Sequence, residues 1–103
     1  MAIMISLTLG GVPVDVFDQI NEELGAISHP LAGLIVHLAY SVDADVVRVV
    51  DVWLSEDLHD AFDASCDPPA VLARILRERG LGPPRLIGRE VVEIQSLLRG
   101  PAA

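Results

Sequence analysis

The chain has 103 residues, 51% of them hydrophobic, and a formal net charge of −8 from fifteen acidic residues against seven arginines and no lysine. This size and apolar content suit one domain, residues 1–103, whose core needs neither disulfides nor a structural metal. The negative charge argues against nucleic acid and anionic membranes as partners, since both require clustered positive charge.

The single cysteine and the N-terminal segment bear on the compartment. Cys66 has no partner for an internal disulfide, which favours a reducing environment. The apolar segment 1–9 lacks a basic n-region and a cleavage site, and it stops at Gly10 and Gly11, too soon for a transmembrane helix. We therefore expect a cytoplasmic protein.

The first half of the chain predicts a strand, a helix and a hairpin. Residues 2–9 form the strand. Pro13 suits the first position of a helix whose apolar residues recur at helical spacing until Gly25. Two β-branched runs, 33–42 and 46–54, then flank the turn-prone segment 43–45, which predicts a β-hairpin.

The second half predicts a broken helix and a last strand. Ser55 is a good N-cap, with Glu56 and Asp57 in the first turn at the positive end of the helix dipole. The helix is expected to break at Asp67 and Pro68 and to resume as far as residue 80. Residues 85–95 form the last strand, and 97–103 form a tail.

This β-α-β-β-α-β order predicts an α+β, ferredoxin-like fold: a four-stranded antiparallel sheet with both helices on one face. Both faces of the hairpin strands are largely apolar. We expect the face richer in aliphatic residues to lie under the helices. The face with His37, Asp51 and Trp53 is then expected to pack on a second copy of the chain, which predicts a homodimer.

The order of elements and four segments resemble the dimeric α/β-barrel superfamily, and within it small actinobacterial proteins similar to the antibiotic-biosynthesis monooxygenase group. The segments are GGVPVDVFDQINEELG, GLIVH, VVDVWLSEDLHDAF and GPPR, and the resemblance spans residues 2–95. It implies that two sheets close a barrel across the dimer and that each protomer has a cleft for a flat organic molecule. Members include cofactor-free oxygenases, heme-degrading enzymes, polyketide cyclases and isomerases.

Comparison with the heme-degrading branch of this superfamily also argues against a cofactor. The heme-degrading branch has an Asn in the first strand, a Trp in the helix after the third strand and a His further on. Here Ser6 is the nearest polar residue, Phe62 takes the Trp position and Leu72 lies near the His position. Phe62 also replaces the helix His common in the monooxygenase group. The three histidines, at positions 29, 37 and 59, lack metal-ligand spacing, so neither a cofactor nor a metal is expected.

His37 and Asp51 are the candidate catalytic residues. If the hairpin loop is 43–45, Val42 pairs with Val46 and His37 lies opposite Asp51, at ~4.5–5.5 Å between Cβ atoms. Asp51 would then fix the tautomer of His37, which would act as a general base. With a loop of even length Val50 faces His37 instead. The alternative to catalysis is a satisfied polar pair within a packed dimer interface.

Four further side chains are candidates for contacting a substrate: Ser6, Thr8, Trp53 and Phe62. Ser6 and Thr8 either supply hydrogen bonds inside a cavity or join the dimer interface. Trp53 suits packing first and a pocket wall second. His59 belongs to an acidic helical stretch and is expected on a solvated face.

The functional hypothesis is a small-molecule-binding protein that acts as a cofactor-independent monooxygenase on a flat aromatic or polyketide-like substrate. Its first step would be proton abstraction by His37. A polyketide cyclase or isomerase would use the same base. The remaining alternative is a dimer that binds a ligand without turnover or has a structural role.

Overall fold

The structure, a computed structural model, describes residues 1–27, 31–98 and 100. The predicted order of elements is confirmed, with the second helix divided in two. The elements are β1 (Ile3–Gly10), α1 (Val16–Ile27), β2 (Leu34–Asp43), β3 (Val46–Trp53), α2 (Glu56–Cys66), α3 (Pro68–Glu78) and β4 (Arg85–Glu93).

The strands form one antiparallel sheet in the order β2-β3-β1-β4, which confirms the ferredoxin-like fold. The break between α2 and α3 lies where the sequence predicts it. Asp67 adopts the left-handed conformation (φ 45°), which ends α2, and its side chain accepts a hydrogen bond from the Ala70 N–H at 3.4 Å, which caps α3. Pro68 then occupies the first turn of α3, where its missing N–H costs nothing.

The prediction for the first helix is wrong at both ends. The N–H groups of residues 16–18 bond back to the carbonyls of residues 13–15 at 3.1–3.2 Å, so a tight turn precedes the helix and Pro13 belongs to that turn. At the other end Gly25 lies within the helix, which continues to Ile27. Glycine costs about 1 kcal/mol in a helix interior, an amount that burial of neighbouring apolar residues such as Ile20 and Leu24 can offset.

Ion pairs join the two helices that pack side by side. Arg74 of α3 pairs with Glu23 of α1 and with Glu78 one turn later, and Arg79 Nη1 lies 3.0 Å from Asp15 Oδ2. The hydrogen bond to Glu78 is the main cause that raises the pKa of the Arg74 guanidinium above its ordinary value. These contacts lie at the surface, so they orient the helices more than they stabilise the fold.

The hydrophobic core lies between the helices and one face of the sheet. Its larger part joins residues of β1 and β3 to α1 and α3, and a smaller part joins Trp53 to Leu58 and Phe62 of α2. The buried residues of the larger part are Leu9, Val12, Val16, Phe17, Ile20, Leu24, Val47, Val49, Leu72, Ile75 and Leu76.

This core corrects the predicted assignment of the sheet faces. His37, Asp51 and Trp53 lie on the face that the helices cover, not on the free face. The physical reason lies in β1, where Ile3, Ile5, Leu7 and Leu9 form one face and pair with Trp53, Asp51, Val49 and Val47. That aliphatic row of β1 decides which face is buried, because the faces of β2 and β3 are nearly equal in hydrophobicity.

The opposite face of the sheet is not covered within the protomer. Val36, Leu38 and Tyr40 of β2 are 42%, 43% and 42% exposed on it. Its polar side chains bond to one another, since Arg48 donates to Thr8 Oγ1 and to the Tyr40 hydroxyl, both at 3.3 Å. In the described part of the chain, no helix has the length and apolarity that crossing a membrane requires.

Candidate active site

A cavity of about 600 Å³ lies between the helix-covered face of the sheet and the helices. Such a volume falls within the range of small-molecule sites. Most of the wall is aliphatic or aromatic, and it includes Trp53 and Phe62 from the predicted set. The ionisable and amide side chains on the wall are Asn21, His37, Asp51, His59, Asp63 and Arg89.

The register of the hairpin brings the predicted catalytic pair together. His37 lies directly opposite Asp51, which confirms the predicted pairing. The turn differs from the expected one. Asp43 pairs with Val46, so the loop has two residues, and the register shifts by one residue between Ser41 and Asp43. Without this bulge the same turn would bring Val52 opposite His37.

The two side chains form a hydrogen bond of 2.5 Å between His37 Nδ1 and Asp51 Oδ1. Because a carboxylate only accepts, Nδ1–H is the donor and the lone pair of a neutral ring lies on Nε2. Nε2 is buried and has no hydrogen-bond partner among the described residues. The side chains of His37 and Asp51 are 23% and 26% exposed, so the pair lies at the edge of the core.

An aromatic cluster forms a second part of the cavity wall. The Trp53 ring lies 5.2 Å from that of Phe62 and 5.6 Å from that of His59, which meets it edge to face at 76°. Trp53 is only 1% exposed, and its indole N–H is the other buried polar group without a partner in the described part of the chain. Trp53 thus both packs the core and lines the cavity.

His59 is not on a solvated helix face, so that prediction is wrong. Its side chain is 13% exposed, because α2 turns it toward Trp53. Its Nδ1 lies 3.1 Å from Asp60 Oδ1 and its Nε2 3.5 Å from Asp63 Oδ2. The missed signal is its spacing from Phe62, three residues on along α2, which places both on one side of the helix.

Ser6 and Thr8 do not join the cavity. Strand alternation turns them to the opposite face of the sheet, where Thr8 bonds to Arg48, so a place on the cavity wall is wrong for both. Asn21 and Arg89 line the cavity although sequence reasoning did not select them. The signal for Asn21 is its position four residues after Phe17 on α1, and Arg89 needs the β1–β4 register, which pairs it with Leu7.

His29 lies outside the described residues. Within residues 1–27, 31–98 and 100, no group of three His, Cys, Asp or Glu side chains lies close enough to hold a metal ion.

Comparisons with known proteins give information on the fold, through solved structures. No family model matches the chain, and no curated protein matches it. Among solved structures, Rv0793 from Mycobacterium tuberculosis superposes with a TM-score of 0.66 at 11% identity, over 96% of this chain and 100% of that one. SnoaB from Streptomyces nogalater, described as a cofactor-independent oxygenase, gives a TM-score of 0.64 at 13% identity over 96% and 98%.

A third structure, from Chloroflexus aurantiacus and provisionally named an antibiotic biosynthesis monooxygenase, gives a TM-score of 0.60 at 15% identity over 100% of this chain and 98% of that one. Identities this low show the fold alone. At that level the resemblance to proteins of the antibiotic-biosynthesis monooxygenase group is confirmed.

Proposed function

We propose that this protein binds a flat, largely apolar small molecule in the cavity and oxygenates it without a cofactor. The observation that carries the proposal is the 2.5 Å hydrogen bond between His37 Nδ1 and Asp51 Oδ1. His37 lines the cavity, and among the described residues its Nε2 has no hydrogen-bond partner. An imidazole held in this way is poised to take a proton, since the carboxylate stabilises the imidazolium that forms.

The oxidation needs the substrate, dioxygen and a base, which here is His37 supported by Asp51. His37 removes a proton from an acidic CH₂ group of the substrate, and the carbanion gives electrons to O₂ and forms a C–O bond. The imidazolium returns its proton to the resulting peroxide anion. Loss of the second C–H proton and cleavage of the O–O bond then give a ketone and water. The substrate is the reductant, so the sum R₂CH₂ + O₂ → R₂CO + H₂O balances without a cofactor.

The surroundings of the pair favour this chemistry. The wall is mostly apolar, so a bound ligand displaces water from the carbanion and the peroxide. Nε2 is buried, and the Phe17 ring centroid lies 6.5 Å from that of His37. We expect Phe17 to shift when a ligand reaches Nε2. SnoaB, a structural neighbour described as a cofactor-independent oxygenase, supports the same kind of reaction on this fold.

The test is oxygen uptake with planar aromatic ketones that carry an acidic methylene group. We expect uptake by the wild-type protein and at least a 100-fold lower rate for His37→Gln, since general base catalysis contributes about 10²–10⁴ in rate. A ligand that binds tightly with no oxygen uptake would favour the non-catalytic alternative. Rearranged product formed without oxygen would favour a cyclase or isomerase, which the same base would serve.

We also propose that the free sheet face pairs with a second copy of the chain. Val36 and Leu38 are 42% and 43% exposed there, and Val50 and Val52 are half-buried on the same face. An apolar sheet face of this kind is costly in water, and a self-complementary partner would bury it. Leu38→Arg should give a monomer by size-exclusion chromatography with light scattering, whereas Val14→Arg, at a 38% exposed site outside the sheet, should not change the mass.

A further inference from the structure

We propose that His59 is the proton donor of the same cavity, which supplies the proton that lets the O–O bond break. This proposal rests on the proposed monooxygenase activity and divides its acid and base steps between two histidines. His37 acts as the base, and His59 acts as the acid.

The position of His59 relative to the base follows from β3. Trp53 lies two residues beyond Asp51 on the same face, which is about 7 Å along a strand. The His59 ring contacts the Trp53 ring at 5.6 Å, and both histidines line the cavity. A ligand that contacts His37 and extends toward Trp53 would therefore reach His59 as well.

The contacts of the two histidines differ in the way that an acid and a base require. His37 has one carboxylate partner, at Nδ1, and its Nε2 has none in the part of the chain that the structure describes. His59 has a carboxylate near each nitrogen, Asp60 at 3.1 Å from Nδ1 and Asp63 at 3.5 Å from Nε2. A protonated ring donates to Asp60 through Nδ1–H and directs its Nε2–H toward Asp63, whereas a neutral ring carries a single N–H. This geometry suits His37 as the proton acceptor and His59 as the proton donor.

The two contacts of His59 are also unequal. The 3.1 Å hydrogen bond to Asp60 holds the ring, and the 3.5 Å separation from Asp63 is too long for a normal hydrogen bond. The Nε2–H group is thus oriented but available to an oxygen atom of a ligand. The other ionisable groups on the cavity wall are Asp51 and Arg89, together with His37 itself.

The step in which His59 acts breaks the O–O bond of the hydroperoxide. In the hydroperoxide R₂CHOOH, His37 takes the C–H proton and the electron pair of that bond forms the carbonyl π bond. The O–O bond breaks, and the departing oxygen takes the Nε2 proton of His59 and leaves as water. One proton leaves the substrate to His37 and one arrives from His59, and exchange with solvent returns both histidines to their starting states. The sum is therefore R₂CHOOH → R₂CO + H₂O.

The experiment compares His59→Gln and His59→Phe with the wild-type protein. Both variants lack the acid, and the phenyl ring of the second keeps the edge contact with Trp53. Oxygen uptake, ketone and released hydroperoxide are measured together with planar ketones that carry an acidic methylene group. Asp57→Asn, an exposed carboxylate on the same helix, is the control and should keep the wild-type ratio of ketone to oxygen.

We expect both His59 variants to take up oxygen but to lower the ratio of ketone to oxygen at least tenfold, with hydroperoxide released instead. Imidazole added to His59→Ala should restore part of that ratio, which a purely structural role would not do. An unchanged ratio in the His59 variants, beside an inactive His37→Gln, would overturn the assignment of His59 alone. No oxygen uptake by the wild-type protein with any compound would overturn the proposed function and this assignment together.

Discussion

Replacing Asp51 with asparagine separates catalysis from packing at the candidate site. The amide has nearly the size of the carboxylate and can still accept a hydrogen bond from His37 Nδ1, which lies 2.5 Å from Oδ1 in the native pair. What the substitution removes is the negative charge that stabilises the imidazolium. The cavity and the sheet register should therefore persist while the base loses its partner.

The two expected effects differ in size. A hydrogen bond to a charged group contributes about 1.5–3 kcal/mol and a neutral one about 0.5–1.5 kcal/mol, so exchanging the first for the second costs about 1–2 kcal/mol. For a domain of this size that is a fall in Tm of roughly 5–10 °C. Domains typically have a free energy of unfolding of about 5–15 kcal/mol, so nearly all of the variant should stay folded at 25 °C. Loss of a hundredfold in rate corresponds to about 2.7 kcal/mol in the barrier, which unfolding of so small a fraction cannot produce.

The assay pairs initial rates of oxygen uptake with a denaturation curve for each variant. Asp51→Asn should lose at least a hundredfold in rate. Asp57→Asn should keep the rate and lose no more than about 1 kcal/mol of stability, since Asp57 is exposed in the first turn of α2. A lower Tm with a rate within threefold of the wild type would refute the reasoning. The pair would then be a structural contact at the edge of the core.

Two further predictions concern the fold, and both use denaturant unfolding at 25 °C. Ile75→Ala, at a side chain that is 0% exposed, should lose about 2–5 kcal/mol, whereas Leu98→Ala, at 94% exposure, should change stability by less than about 0.5 kcal/mol. Gly33→Ala should destabilise by more than about 1 kcal/mol, because φ is +87° and a Cβ atom would lie 2.6 Å from Leu58 Cδ1. Gly10→Ala should be milder, because Gly10 is not at a positive φ and its Cβ would meet only the ends of the Arg85 and Ile87 side chains. A larger loss at position 98 than at 75, or at 10 than at 33, would contradict these assignments.

Much of the fold was predictable because local signals agree with each other. Proline and a capping aspartate mark the break between α2 and α3, and β-branched runs mark the hairpin. The start of α1 was missed because Pro13 is equally suited to a tight turn and to the first turn of a helix. Only the backbone hydrogen bonds of residues 16–18 distinguish these two roles.

The pairing at the candidate site was predictable, and the sheet face on which it lies was not. A three-residue loop and a two-residue turn followed by a bulge give the same pairing of His37 with Asp51, so the pairing was predicted correctly from a turn that does not occur. The choice of the buried face failed because it was argued from β2 and β3, which are apolar on both sides. The Ile3–Leu9 row of β1 carries the missing information, and it also turns Ser6 and Thr8 away from the cavity.

Because His37 and Asp51 lie on the helix-covered face, we expect assembly and activity to be separable. If His37 and Asp51 faced a second copy of the chain, any substitution that broke the dimer would also break the site. They lie instead under the helices of a single protomer, on the side opposite Leu38.

A monomeric Leu38→Arg protein should therefore keep the 2.5 Å hydrogen bond between His37 and Asp51. Its Kd for a planar ligand should be within about threefold of the wild-type value, a difference of about 0.7 kcal/mol. Ligand titration by Trp53 fluorescence measures this, since Trp53 is the only tryptophan and lines the cavity. Loss of binding on monomerisation, with an unchanged melting temperature, would mean that the partner protomer completes the cavity.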